Sequence, residues 1–244
     1  MDSGFYAACA GLRAQSQALE VAAHNLANLN TTGFRGQQAS FQSLLAVAGS
    51  TVPNVLNRAT NNYGVLEGTH LDLSAGTLER TGNPLDLGIE GRGFFAVQTS
   101  RGTRYTRNGS FHVSTRGELV TAAGERVLGE TGVVQVPPGV LSISPDGTLS
   151  VNGAVAGKIR LAEFSPETKL TSEGGSLLVA PDGSAHPAPQ SAVQQGTLES
   201  SNVNGVSALV TLLGVQRQAE MLQRAMSLLD NEFNRIATND LAKV

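Results

Sequence analysis

The feature that most constrains this chain sits at its two ends, where apolar residues recur at alternating spacings of four and three. Near the N-terminus Phe5, Cys9, Leu12, Ser16, Leu19, Ala23 and Leu26 keep that rhythm. Near the C-terminus Leu212, Val215, Ala219, Leu222, Met226, Leu229, Phe233 and Ile236 keep it again. A 3.5-residue repeat lines its members along one seam of a helix. The spacing therefore predicts helices over 5–29 and 204–240. The first should stop near Asn30-Thr31-Thr32-Gly33, since Asn and Gly tolerate the left-handed geometry that closes a helix. Asn202 or Asn204 can cap the second, although Gly205 and Gly214 weaken its first turns. Its opposite face carries Arg217, Glu220, Arg224, Asp230 and Asn234 and suits water or polar neighbours.

Between the helices the pattern changes. From about 76 to 196 the chain shows short alternating or apolar runs: 94–98, 104–106, 111–114, 133–136, 141–144, 149–151, 159–164 and 177–179. Turn dipeptides separate them, among them Asn108-Gly109, Arg116-Gly117, Asp146-Gly147, Asn152-Gly153 and Asp182-Gly183. Such pairs supply the positive φ angles of tight hairpins. Residues 34–75, rich in Asn, Gly and Thr without a period, read as an extended linker, and 181–195, with three prolines, as a surface loop. The expected fold is α+β: terminal heptad helices pairing as a coiled-coil-like unit (1–33 with 200–244), a linker over 34–75, and one mainly antiparallel all-β domain over 76–199.

Composition narrows the function. Charged residues make up 15% of the chain, well below the usual quarter. The net charge is −3 and the 17 basic residues are scattered, so no surface is built to displace the counterions of nucleic acid. No window approaches the apolar length of a membrane span. Met1-Asp2-Ser3 offers no positively charged start followed by an apolar run, so no cleaved signal peptide is expected. The single cysteine, Cys9, excludes an internal disulfide and a cysteine-based zinc site, and reads as a small core residue.

The residues single out no catalytic constellation, cofactor site or metal site. His24, His70, His112 and His186 are far apart in sequence and form no metal spacing. The stretch 88–93, Gly-Ile-Glu-Gly-Arg-Gly, departs from G-x-G-x-x-G and precedes an apolar run, so it reads as a tight turn or bulge. Asp86 and Glu90 lie in this stretch, but nothing marks them as a catalytic carboxylate pair. Asn30-Thr31-Thr32 and Asn108-Gly109-Ser110 match the glycosylation sequon and are read as incidental. Two placements of the helices stay open on these grounds: packing on the β domain of a monomer, or burial of their remaining faces against other copies. Two other readings also stay open: an enzyme acting on cell-wall polysaccharide, and a monomeric secreted binding module.

Four separated stretches, in order, carry a resemblance. Residues 24–35 contain Asn25, Leu26, Ala27 and Asn28, then Thr32, Gly33, Phe34 and Arg35. Residues 83–95 contain Leu85, Asp86, Gly91, Gly93, Phe94 and Phe95. Residues 105–111 contain Tyr105, Thr106, Arg107, Gly109 and Phe111. Residues 195–204 contain Gly196, Leu198, Glu199, Ser201, Asn202 and Val203. Together they closely resemble the flagellar basal-body rod proteins of the FlgF/FlgG family. The opening Met1–Tyr6 and the stretch Gln216–Met221 look more like the FlgF branch, whereas residues 89–95 and 30–34 look equally like FlgG; Gly205 and Ser207 stand where relatives often have Pro, Val or Glu. The resemblance implies a structural subunit, not an enzyme, needing no cofactor or small-molecule substrate. It implies export without a cleaved leader through the flagellar type III apparatus, and axial assembly with other copies and neighbouring rod proteins. Terminal helices would line an inner tube, β domains would lie outside, and the rod would cross the periplasm and carry torque from motor to hook.

Overall fold

The computed structural model describes residues 2–42 and 65–241. Two helices, α1 (Asp2–Ala27) and α2 (Gly205–Leu241), bracket a set of short strands. Every strand pair with a described register is antiparallel. The architecture is thus α+β, a mainly antiparallel β region flanked by an N- and a C-terminal helix.

The described residues fall into two compact units. One comprises 2–26, 37–42, 65–69 and 205–241; the other comprises 27–36 and 70–204. In the first unit, the stretch read as a linker contains two strands, Gln37–Gln42 and Val65–Leu71, which pair with each other. Residues 43–64 of that stretch lie outside the described residues.

The second unit is built around strand Phe94–Thr99. It pairs with Gly102–Thr106 on one side and with Arg126–Gly129 and Leu161–Glu163 on the other. Phe94, Phe95, Ala96 and Val97 are all buried, since both faces of this strand are covered. Phe95 and Val97 join a core with Leu87, Phe111, Leu119, Leu149 and Ile159. Phe94 and Ala96 join a second core with Tyr105, Phe164 and Leu178. Edge-to-face ring pairs tie each core: Phe95 on Phe111 at 5.1 Å, and Tyr105 on Phe164 at 4.8 Å.

Two sequence readings are corrected here. The glycine-rich stretch 88–93 is not simply a turn: Leu87–Glu90 is a strand, and the turn follows at Gly91 and Arg92. Its partner is Ala192–Gln195, inside the segment read as a surface loop. Pairing across about a hundred residues decided both, and a window of sequence holds no trace of it.

Candidate functional site

Residues from each of the four stretches meet in the second unit, around one buried carboxylate. Glu199 is 1% exposed. Its Oε1 accepts from Arg35 Nη2 at 2.6 Å and from the Gly76 amide at 2.7 Å. Its Oε2 accepts from Arg107 Nη1 at 3.0 Å. Arg35 and Arg107 are themselves buried, so one anion serves two cations where water cannot. Arg107 also donates to the carbonyls of Ile89 and Gly91, and its guanidinium lies 5.0 Å from the centre of the Phe94 ring. Burial pushes the Arg107 guanidinium down from its ordinary value, while the Glu199 carboxylate holds it up.

Backbone bonds fasten the same place. The Gly33 amide donates to the Glu199 carbonyl at 2.7 Å, and the Asn202 amide to the Phe34 carbonyl at 3.4 Å. Asn202 then uses both ends of its side chain. Its Oδ1 accepts from the Gly36 amide at 2.7 Å, and its Nδ2 donates to the carbonyls of Asp72 and Ser74. The segment that follows α1 is therefore laced to the segment that precedes α2, some 165 positions later. Phe34, 1% exposed, is buried beside them.

Two glycines are required by this closeness. Gly33 has φ +66°, and a β-carbon there would lie 2.2 Å from the Asn108 nitrogen. A β-carbon on Gly109 would lie 1.7 Å from the Leu87 carbonyl oxygen, which the Leu87–Gly109 backbone bond holds in place. Thr32 Oγ1 donates to Asn108 Oδ1 at 2.9 Å, and Asn108 N donates to Thr106 Oγ1, which stitches the first stretch to the third. Gly93 N donates to Ser191 Oγ, and Asp86 accepts from Asn83 Nδ2. Phe95 and Phe111 serve the first core, with Leu85 packed at its margin, and Phe94 and Tyr105 serve the second. Ser201 Oγ accepts from the Val203 amide just before α2.

Asn25, by contrast, acts in the first unit. Its side chain makes paired bonds to the Gln37 backbone, at 2.7 and 2.8 Å. Leu26 is half-buried and Ala27 exposed at the end of α1, and Asn28 accepts from Thr31 Oγ1. Arg35 and Glu199 entered the sequence reading only as members of the stretches that carry the resemblance, and Asn108 only in a turn pair and a sequon; Ser191 and Gly76 were not singled out. The available signal was charge: two arginines and a glutamate inside the four stretches of a chain with few charges.

The seam positions divide. On α2, Leu212, Val215, Ala219, Leu222 and Met226 are half-buried amid exposed neighbours. On α1, Cys9, Leu12, Leu19 and Leu26 are half-buried, Ser16 and Ala23 are exposed, and the most buried residues are Gly11, Ala14, Ala18 and Ala22. The side chains of Phe5, Leu229, Phe233 and Ile236 lie outside the described residues. The face opposite the α2 seam, read from sequence as polar, is mixed: Val206, Leu209, Val210, Leu213, Met221 and Leu228 form an apolar stripe interleaved with Arg217, Glu220 and Arg224, exposed by as much as 76% at Val206. No helix among the described residues is long and apolar enough to cross a membrane.

What this geometry defines is a joint: a structural protein whose β unit is closed by the two chain segments that lead to its helices. Family descriptions match in the same order as the four stretches. "Flagella basal body rod protein" matches residues 5–35, "Flagellar hook protein FlgE/F/G D1 domain" 88–151, and "Flagellar basal body rod FlgEFG protein C-terminal" 194–238. The flagellar basal-body rod protein FlgF of Mesorhizobium japonicum is 33% identical over 226 residues, 90% of each chain. FlgF of Caulobacter vibrioides is 30% identical over the full length of both, and FlgG of Agrobacterium fabrum 31% over 95% of this chain and 97% of its own. The chain belongs to the FlgF/FlgG family of flagellar basal-body rod proteins.

Proposed function

We propose that this protein is a structural subunit of the bacterial flagellar basal-body rod, assembling with copies of itself and with neighbouring rod proteins through its terminal helices. The observation that carries the assembly is the doubly apolar α2. One stripe is half-buried within its own unit, while the opposite stripe, from Val206 to Leu228, is left in water. An apolar stripe of six large side chains gains about 1.5–3 kcal/mol for each one fully buried, so contact with another subunit is its natural fate. The seams of α1 and α2 are read as pairing in coiled-coil fashion, with the second stripe facing a neighbour. The role is structural, not enzymatic.

The buried joint fits the load that a rod bears. Torque entering through the helices reaches the β unit through segments 27–36 and 200–204. Both are pinned there by backbone bonds and by a doubly paired carboxylate. Passage through the flagellar type III export apparatus without a cleaved leader, and a place in the periplasm-spanning rod, belong to the same reading. Met1–Tyr6 and Gln216–Met221 favour the FlgF position in the rod over that of FlgG.

Charge in the seam tests this. A lone carboxylate among packed helices costs several kcal/mol unless it is neutralised. Leu19→Asp and Leu222→Asp should each leave the β unit folded and abolish swimming when they replace the natural copy. Normal swimming by both variants would sink the proposal.

A further inference from the structure

The chain holds three Asn-Gly pairs, at 108–109, 152–153 and 204–205. The surroundings of the first two differ sharply, and the geometry points to Asn152 as a site of self-modification by backbone cyclisation. Asn152 and Gly153 form the two-residue turn between the strands Thr148–Val151 and Ala154–Lys158, with Val151 paired to Ala154. Their φ angles of 51° and 83° are those of a type I′ turn. Both residues are exposed, and a β-carbon built on Gly153 would meet nothing within 4 Å. Glycine also leaves its own nitrogen unshielded by a side chain.

One contact favours the reaction. The Val140 amide donates to Asn152 Oδ1 at 2.9 Å, and the Asn152 amide donates back to the Val140 carbonyl at 3.0 Å. In the cyclisation, the Gly153 nitrogen attacks the Asn152 side-chain carbonyl carbon. A bond forms between them, the bond from that carbon to Nδ2 breaks, and Nδ2 departs as ammonia carrying the Gly153 proton. Negative charge grows on Oδ1 during the attack, where the Val140 N–H already points. A donor fixed on a developing oxyanion stabilises it, by less on this exposed hairpin than in a site from which water is excluded. Water then opens the five-membered imide at either carbonyl, leaving aspartate or isoaspartate. Each product carries a new negative charge on the exposed hairpin, and isoaspartate adds a carbon to the backbone of a two-residue turn.

Asn108-Gly109 is the internal control, with the same intrinsic chemistry. There Oδ1 is held by Thr32 Oγ1 at 2.9 Å and by the Ser110 amide at 3.0 Å, and Gly109 is wedged against the Leu87 carbonyl. A backbone N–H lies on Oδ1 at both sites, so the difference is the backbone: Gly109 is locked against the Leu87 carbonyl and the Asn108 amide is tied to Thr106 Oγ1, and the chain cannot rotate into the geometry of attack without dismantling the joint.

The experiment incubates the full-length folded chain at mildly alkaline pH and follows tryptic peptides by mass spectrometry. Asn108–Arg116 and Val127–Lys158 each contain a single asparagine, so the two sites read out separately. The expected result is a gain of one mass unit, as both aspartate and isoaspartate, at Asn152 at least about tenfold faster than at Asn108. In urea the two rates should converge, and G153A should suppress the reaction at Asn152 in the folded chain. Equal rates at the two sites in the folded protein, or undiminished modification in G153A, would overturn the assignment.

Discussion

Replacing Glu199 with glutamine tests the joint with the smallest change in shape. The glutamate carboxylate accepts from Arg35 at 2.6 Å, Arg107 at 3.0 Å and the Gly76 amide at 2.7 Å, with the three charged side chains almost wholly buried. Glutamine keeps one acceptor and turns its amide group toward a guanidinium or a backbone N–H. Two buried cations then face no anion. Removing one member of a buried ion pair costs about 3–5 kcal/mol, chiefly because the remaining charge is stranded. Two pairs share this carboxylate and are not additive, so the expected loss is about 4 kcal/mol. With a urea slope of about 2 kcal/mol per molar, the unfolding midpoint of the full chain, followed by circular dichroism, should fall by about 2 M. Arg35→Met is the informative companion. It leaves Glu199 paired with Arg107 as a neutral couple, and should cost about 1–3 kcal/mol. A loss below about 1 kcal/mol in E199Q, or equal losses in the two variants, would refute the idea that one carboxylate pairs with both arginines.

Other expectations follow from the same structure. Gly109→Ala and Gly33→Ala should each lower stability by about 3–5 kcal/mol, because backbone atoms would sit on the new methyl; Gly82→Ala, at φ +76° with open space around it, should cost only about 1–2 kcal/mol. The same urea titrations check all three. The hydrogen bond from Arg104, and then the charges of Arg101 and Arg104, hold the Glu173 carboxyl below its ordinary value. A carboxylate depressed in the folded state stabilises fully above its unfolded pKa, and that contribution fades as the pH falls through the folded value. Unfolding midpoints measured from neutral pH down through the carboxylate range should therefore drop less steeply in Glu173→Gln than in the parent.

The helices were legible because their signal is local and periodic: Leu212 to Ile236 spell a seam without reference to the rest of the chain. Strands whose runs alternate or carry aromatics, such as Phe94–Thr99 and Phe111–Val113, were legible for the same reason. Leu119–Thr121 and Arg126–Gly129 were not, since three or four residues show no period and owe their form to neighbours in the sheet. Leu87–Glu90 was hidden by its glycine, which in sequence signals a turn, whereas its partner Ala192–Gln195 lay in a proline-marked segment. The joint was half visible. Arg107 and Asn202 stood out within recurring stretches. That Arg35, Arg107 and Glu199 form one buried triad depends on contacts 92 and 164 positions apart, and local pattern carries nothing about them. On α1 the small residues Gly11, Ala14, Ala18 and Ala22 are the buried ones. A hydrophobic count gives such residues little weight, although close helix packing selects for them.

The most direct test of the structural role is recovery of the protein in isolated basal bodies. Cells carrying either the parent chain or Leu222→Asp in place of the natural copy would be compared at equal cellular amounts of each protein. The account predicts that the parent chain co-purifies with the rod, and that Leu222→Asp stays in the soluble fraction with its β unit folded and the rod incomplete. Absence of the parent chain from basal bodies, or incorporation of Leu222→Asp at the parent level, would contradict it.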